Sequence, residues 1–247
     1  MNTPMKLGKL PPKKDPRTLM LARYLPDTAL PIVPGEVDWA QSNWVPKFGM
    51  FANDVYGDCT CASLAHAIQS WNGNVNKSVT LKDADVLKAY SAISGFNPSD
   101  PSTDRGAYCI DALNYLRKTG IGGHKCAAYA KIVTTHHAML RATMWLFGGA
   151  YIGAVLYDDI WGAPVWDAPK PSAVIAGGHA MFVVRYSKNQ LAVVTWGGLQ
   201  PVTWRWLDRC CDEAYAVLSE DALDAAGRSV AGFDVAALRN DLGLVTK

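Results

Sequence analysis

Apolar positions recur at helical spacing through the first half of the chain and collapse into short apolar runs in the second. Cys61, Leu64, Ala65, Ile68 and Trp71 predict a helix that opens near Cys59, after Gly57-Asp58, and buries one face. Thr80 and Asp83 resemble a capping box opening a second helix, with Val86, Leu87, Tyr90 and Ile93 inward and Gly95 and Pro98 as stops. Cys109, Leu113 and Leu116 predict a third helix ending at Gly120, and Leu140, Met144 and Phe147 a fourth over 137–147. After Gly149 come AYIGAVLY, HAMFVVRY, QLAVVTW and EAYAVL, short runs rich in β-branched and aromatic residues and separated by glycine, proline and asparagine. These read as strands of one sheet. Helices followed by strands give an α+β class. The first 36 residues have no period and carry Pro4, Pro11, Pro12, Pro16, Pro26, Pro31 and Pro34, which predicts an extended arm lying on the surface. A further surface helix is expected around 235–242.

Composition narrows the classes. The 247 residues suit one large domain or two small lobes. With 49% hydrophobic and 19% charged residues the chain is globular. A net charge of +2 excludes a general nucleic-acid binder, yet the charge is uneven: residues 1–24 hold Lys6, Lys9, Lys13, Lys14, Arg17 and Arg23 against Asp15 alone. The longest relevant apolar stretch, Met144 to Tyr157, is too short for a bilayer, so no membrane partner is expected. No secretory signal follows the first lysines. The six cysteines (Cys59, Cys61, Cys109, Cys126, Cys210 and Cys211) have no CxxC spacing, so no metal or other cofactor is expected. Reduced thiols and a cytoplasmic location follow as expectations.

The sharpest chemistry is a cysteine at a helix start and a histidine at a strand start. Cys59 feels the positive end of its helix, which favours thiolate. His179 follows Gly177-Gly178, and two glycines leave room beside the imidazole for a substrate backbone. A Cys–His pair drawn from two lobes is an arrangement for nucleophilic acyl transfer, and Asn53 is a candidate oxyanion donor. Cys61 and the remaining cysteines read as packing residues. His66, His136 and His137 read as core or solvated histidines, and the nine scattered tryptophans as packing.

The order of these elements resembles the papain-like cysteine peptidases, in their divergent bacterial and phage branch. The likeness runs from about Val37 to Ser219. It rests on VDW at 37–39, N-x-x-x-G-D-C-T from Asn53 to Thr60, DRGAYCIDALNYLRKTGI at 104–121, HAMFVVRY at 179–186 and VTWG at 194–197. The resemblance implies a helical lobe (about 53–148) and an antiparallel, barrel-like β lobe (about 149–220) meeting at a cleft. The domain would span 37–220, with an arm at 1–36 and a tail at 221–247. It implies Cys59 as nucleophile, His179 as general base and acid, and Asn53 as oxyanion donor beside the Cys59 backbone N–H. Gly106 would pair with the substrate backbone, Gly178 would border its pocket and Trp196 would roof the histidine.

Departures from that pattern matter. Val194 stands where the family has the asparagine that orients the histidine. Thr195 is adjacent and hydroxyl-bearing and stands as the candidate catalytic third residue, although strand alternation points it to the other face unless a bulge turns it. Thr60 replaces a tryptophan, and 36 residues before VDW are too few for a folded inhibitory prodomain, so the arm reads as a strap that could reach a protein partner. The implied activity is hydrolysis of peptide or isopeptide bonds in a peptide or protein substrate. Two alternatives stay open: a degenerate domain that binds a peptide or partner, and a related acyl transferase or amidase.

Overall fold

The computed structural model of the chain describes residues 5–222. A two-residue strand, β1 (Val37–Asp38), precedes helices α1 (Cys59–Gly73), α2 (Asp83–Ser94) and α3 (Cys109–Lys118). Then come β2 (Cys126–Ile132), α4 (His137–Phe147), β3 (Ala150–Tyr157), β4 (Ile175–Tyr186), β5 (Gln190–Thr195), β6 (Gly198–Thr203), α5 (Trp204–Cys210) and β7 (Cys211–Ser219). The sheet runs β2-β7-β3-β4-β5-β6, with β1 paired to β4, and every pairing is antiparallel. The path ends at β2 and β6, so the sheet is open where a barrel-like lobe was expected. The class is α+β.

The switch from helix to strand is not a single event at Gly149. β2 joins the sheet before α4, and α5 interrupts the strands after β6. CAAYAKI carries too little β-branched character to announce β2, and α5 is too short for periodicity to register. β4 also begins at Ile175, so His179 lies inside a strand and not at its start. The predicted helix at 235–242 lies outside the described residues.

Both faces of the sheet are covered, which explains why its strands read as continuous apolar runs. Met181, Val183 and Val193 join one core with α4 and α5. Ala180, Phe182, Val184 and Val194 join the other with α1, α2 and α3. α1 packs across β4 and is buried on every side, not on one face as its spacing predicted. Several of its polar groups are met by neighbouring segments, while Thr60 Oγ1 and His66 Nδ1 stay buried without a hydrogen-bond partner. His66 Nε2 bonds Gly49 O at 2.8 Å, Ser70 Oγ donates to Trp39 O at 3.3 Å, and Asn72 Nδ2 donates to Asp221 at 3.2 Å. Such bonds offset most of the cost of burying polar groups.

The prolines of the arm hide a tightly docked segment. Leu19, Leu21 and Leu25 are buried in the core, the Lys131 N–H donates to Leu19 O at 2.7 Å, and Lys13 pairs with Asp111 at 3.0 Å. The surface strap expected from composition is therefore part of the core's edge. Among the described residues no helix is long and apolar enough to cross a membrane.

Trp71 joins the layers. Its ring meets Phe182 of β4 edge-on at 5.4 Å, and its Nε1 donates to Phe147 O at the end of α4, at 2.9 Å. Trp71→Ala should lower the unfolding free energy by about 3–5 kcal/mol in urea titrations; a loss below about 1 kcal/mol would mean that α1 is not held to the sheet here.

Candidate active site

Cys59 opens α1. Asp58 supplies the first carbonyl of the helix, accepting from Cys61 N–H at 2.8 Å and Ala62 N–H at 3.0 Å. The turn before it is clamped by Asp104, whose carboxylate accepts from Gly57 N–H at 3.1 Å and from Tyr90 Oη at 2.6 Å. Tyr90 Oη in turn accepts from Gly106 N–H at 2.9 Å. One carboxylate thus ties the cysteine turn to the Gly106 segment.

His179 enters from β4, and its Nε2 lies 2.7 Å from Thr195 Oγ1. Sheet parity explains what strand alternation alone mispredicted. Phe182 pairs with Val194, so Thr195 shares the other face with Met181 and His179. Val194 packs into the helical side of the core, away from the imidazole. The β5–β6 turn then seats Trp196. Thr195 pairs with Gly198, leaving Trp196 and Gly197 as a two-residue loop with φ of 45° and 71°. Such a turn needs positive φ at both positions, and for tryptophan that costs about 1–3 kcal/mol. The strained residue stacks on the imidazole, centroids 4.3 Å apart and planes 23° apart. Beside it opens a cavity of about 560 Å³ lined by Met5, Trp161, Trp166, Thr195 and Leu199.

The cleft is occupied by the chain's own arm. Gly8 and Lys9 donate N–H groups to Gly178 O at 3.2 and 3.0 Å, Leu10 donates to Ala107 O, and Ala107 donates to Gly8 O, both at 2.9 Å. Trp196 Nε1 donates to Lys6 O at 3.2 Å. The approach is so close that a Cβ on Gly8 would lie 1.9 Å from Gly57 O, and a Cβ on Gly106 2.1 Å from Gly8 O. Gly106 therefore supplies clearance, while Ala107 supplies the backbone pairing expected of Gly106.

Known structures share this fold. Xylellain, a cysteine protease from Xylella fastidiosa, superposes with a TM-score of 0.69 at 17% identity, over 88% of this chain and 98% of that one. ProCathepsin B S9 from Trypanosoma congolense gives 0.62 at 13%, over 87% and 86%. Digestive procathepsin L2 from Tenebrio molitor larval midgut gives 0.62 at 15%, over 87% and 78%. The fold is that of the papain-like cysteine proteases. No protein-family model matches the sequence, and no curated protein does.

Within this papain-like cleft Asn53 is not free. Its Nδ2 donates to Asp58 Oδ1 at 2.9 Å and to Tyr56 O at 3.1 Å, so both amide protons are spent and neither faces the cleft. The sequence step from Asn53 to Cys59 could not reveal this, because the competing acceptor is the residue beside the cysteine. Lys9, Asp104, Asp212 and Glu213 were also missed. They carry no motif, and only the fold brings them to the cleft. All six cysteines are free and buried, and no described cluster of three or more His, Cys, Asp or Glu residues could hold a metal.

Burial governs the titrating groups. It pushes the Cys59 thiol up to about 12, against the opposing pull of the Ala180 and Gly8 backbone N–H groups. It drives His179 down to about 3, with a smaller push from His66. With the arm seated, thiol and imidazole are both neutral at pH 7, and His179 Nδ1 is buried without a hydrogen-bond partner. Burial also raises Asp58 to about 8, against the Asn53 bond, and leaves its Oδ2 without a partner.

A carboxyl whose folded pKa exceeds its unfolded value holds an extra proton when folded. Its support is complete below about pH 4 and lost as pH rises through about 8. Asp58→Asn keeps the shape and the acceptor but removes that proton. The variant should be more stable than the parent at pH 8 in urea titrations, with the advantage vanishing toward pH 4; an equal difference at both pH values would mean that Asp58 is ionised in the fold.

Proposed function

We propose that the protein is a cysteine-dependent hydrolase of peptide or isopeptide bonds, kept latent by its own N-terminal arm. The observation that carries the reading is the His179 Nε2 to Thr195 Oγ1 bond of 2.7 Å in a papain-like cleft that also holds Cys59 at a helix start. Thr195 accepting from Nε2–H leaves Nδ1 as a bare acceptor, one that the Cys59 thiol does not bond while the arm is seated. In an open cleft Nδ1 takes the Cys59 proton, and the thiolate attacks the substrate carbonyl carbon. The imidazolium then protonates the leaving amine, and water, deprotonated by the same ring, frees the acyl group. The Cys59 backbone N–H, unclaimed in the first helical turn, supports the oxyanion. Trp196 shields the imidazole, Gly178 borders the pocket, and Gly106 gives the substrate backbone room. Asn53 joins as a donor only if it leaves Asp58.

Latency is supported by how the arm fills the cleft. Gly8 sits against the turn that presents Cys59, with its N–H on Gly178 O at 3.2 Å and no room for a Cβ beside Gly57 O, so the arm fills the space a substrate backbone would need. Two of the similar structures are named as proenzymes, proCathepsin B and procathepsin L2. A second reading, a partner-binding domain without chemistry, is favoured by the unpartnered Nδ1 and the filled cleft.

Gly8→Val should separate them, since the added carbon collides with Gly57 O and expels the arm. The full-length variant should alkylate Cys59 with iodoacetamide at least about tenfold faster than the parent, with Gly8→Val/Cys59→Ala as the blank. It should also cleave a fluorogenic peptide library. Equal alkylation rates would refute latency, while fast alkylation without cleavage would favour the binding domain.

Thr195→Val in the Gly8→Val background should lower kcat/KM by roughly tenfold to hundredfold and shift its pH profile, with Thr195→Ser recovering most of the activity. An unchanged profile in the valine variant would remove Thr195 from the mechanism.

A further inference from the structure

One residue along the arm from Gly8, the Lys9 side chain turns into the wall of the cleft and is 1% exposed. Its Nζ lies 2.8 Å from Asp212 Oδ2 and 3.4 Å from Glu213 Oε1. Adjacent strand residues point to opposite faces, so two consecutive carboxylates should not meet one cation. Here they do because β7 is irregular. Gly153 pairs with Glu213 while Ala154 pairs with Cys211, so Asp212 is the extra residue of a bulge and swings to the same side. Gly153 provides the opening: a Cβ there would lie 2.1 Å from Lys9 Cε and 2.8 Å from Glu213 Cγ. Glu213, itself 1% exposed, is braced from behind by Tyr215, whose hydroxyl donates to Oε2 at 2.7 Å.

This pocket has more acceptors than Lys9 uses. Asp212 Oδ1 is buried without a hydrogen-bond partner, and Glu213 Oε1 has the 3.4 Å ion pair to Lys9 but no hydrogen bond. Withdrawal of the arm would leave two neighbouring carboxylates, one fully buried, with no cation. An uncompensated buried charge is strongly unfavourable, so whatever replaces Lys9 must bring a positive charge. A guanidinium, with five donors in a planar fork, could hydrogen-bond both oxygens as well.

We propose that Asp212 and Glu213 form a specificity subsite that takes an arginine or lysine side chain of the substrate, with Lys9 as its resting occupant. The proposal rests on the hydrolase reading and adds its substrate class. It also gives the arm a selective release: a peptide competes for the cleft only if it can replace the lysine charge for charge.

The test uses the full-length Gly8→Val/Lys9→Ala protein. In the binding arm, n-butylammonium chloride at tens of millimolar should raise Tm saturably by about 2–4 °C. n-Butanol and matched sodium chloride should not, and adding Glu213→Gln should abolish the shift. In the kinetic arm, peptides identical except for arginine, lysine or norleucine at one position are compared. At one position arginine and lysine should exceed norleucine in kcat/KM by about tenfold or more, with the ratio falling to about twofold or less in Glu213→Gln. Ammonium binding without cleavage of any peptide would support the subsite and defeat the hydrolase reading. Cleavage with no basic preference at any position, or no difference between n-butylammonium and n-butanol, would overturn the subsite.

Discussion

A lysine ammonium cannot be buried alone, and the cleft is organised around meeting that requirement for Lys9. Two carboxylates reach it from one bulged strand, and burial alone would lower its pKa, but the Asp212 bond and the nearby negative charges hold it above the ordinary lysine value. With that side chain fixed, the flanking backbone has little choice. Gly8 and Lys9 meet Gly178, Leu10 meets Ala107, and Lys6 meets Trp196, so both walls of the cleft are bridged by one short segment. The uneven charge of the sequence takes on a structural meaning here. Lys6, Lys9 and Lys13 each find an acid on the body, at Asp104, at Asp212 with Glu213, and at Asp111.

The bridge sets the electrostatic state of the reactive pair. A thiol and an imidazole become an ion pair only where the charged forms are solvated or paired. Sealing the cleft removes water from both, so Cys59 is pushed up and His179 down, each away from its charged form. The positive end of α1, which alone favours thiolate, is outweighed by that desolvation. This separates what the sequence could express from what it could not: a cysteine at a helix start is visible as a motif, but the sign of its pKa shift is set by burial, which only the fold supplies.

The legibility of the rest follows the same division. The four long helices and the apolar strands were readable because burying a face or a layer imposes a period or a run on the residues themselves. The arm was not, since an extended segment that pairs edge to edge with a cleft needs no period, and its prolines look like those of a surface loop. Thr195 was misjudged from alternation within one strand, whereas its direction is set by pairing across two, through Phe182 and Val194. Asp212 and Glu213 were invisible because only the bulge lets neighbouring residues act together. Asn53 failed differently: its spacing from Cys59 suits a donor, but Asp58 claims the amide first.

Trp196 ties these observations together. Its positive φ is unfavourable, and it persists because the indole is held on three sides: by the His179 ring, by Trp161 and Trp166, and by the Lys6 carbonyl. Two of those supports belong to the folded body, and one belongs to the arm. Release of the arm would cost Trp196 its only hydrogen-bonded support among these and wet the face of His179 that it covers. Opening the cleft therefore changes three things at once: Nδ1 and the thiol regain water, the acidic pocket loses its cation, and the tryptophan cover loosens. A substrate whose backbone replaces Gly8 and Lys9 on Gly178 and Ala107, and whose cation replaces that of Lys9, would restore the second and third while leaving the reactive pair to a carbonyl carbon. On that reading the arm reproduces the backbone and charge contacts that would hold a substrate, and its displacement is the step that opens the cleft.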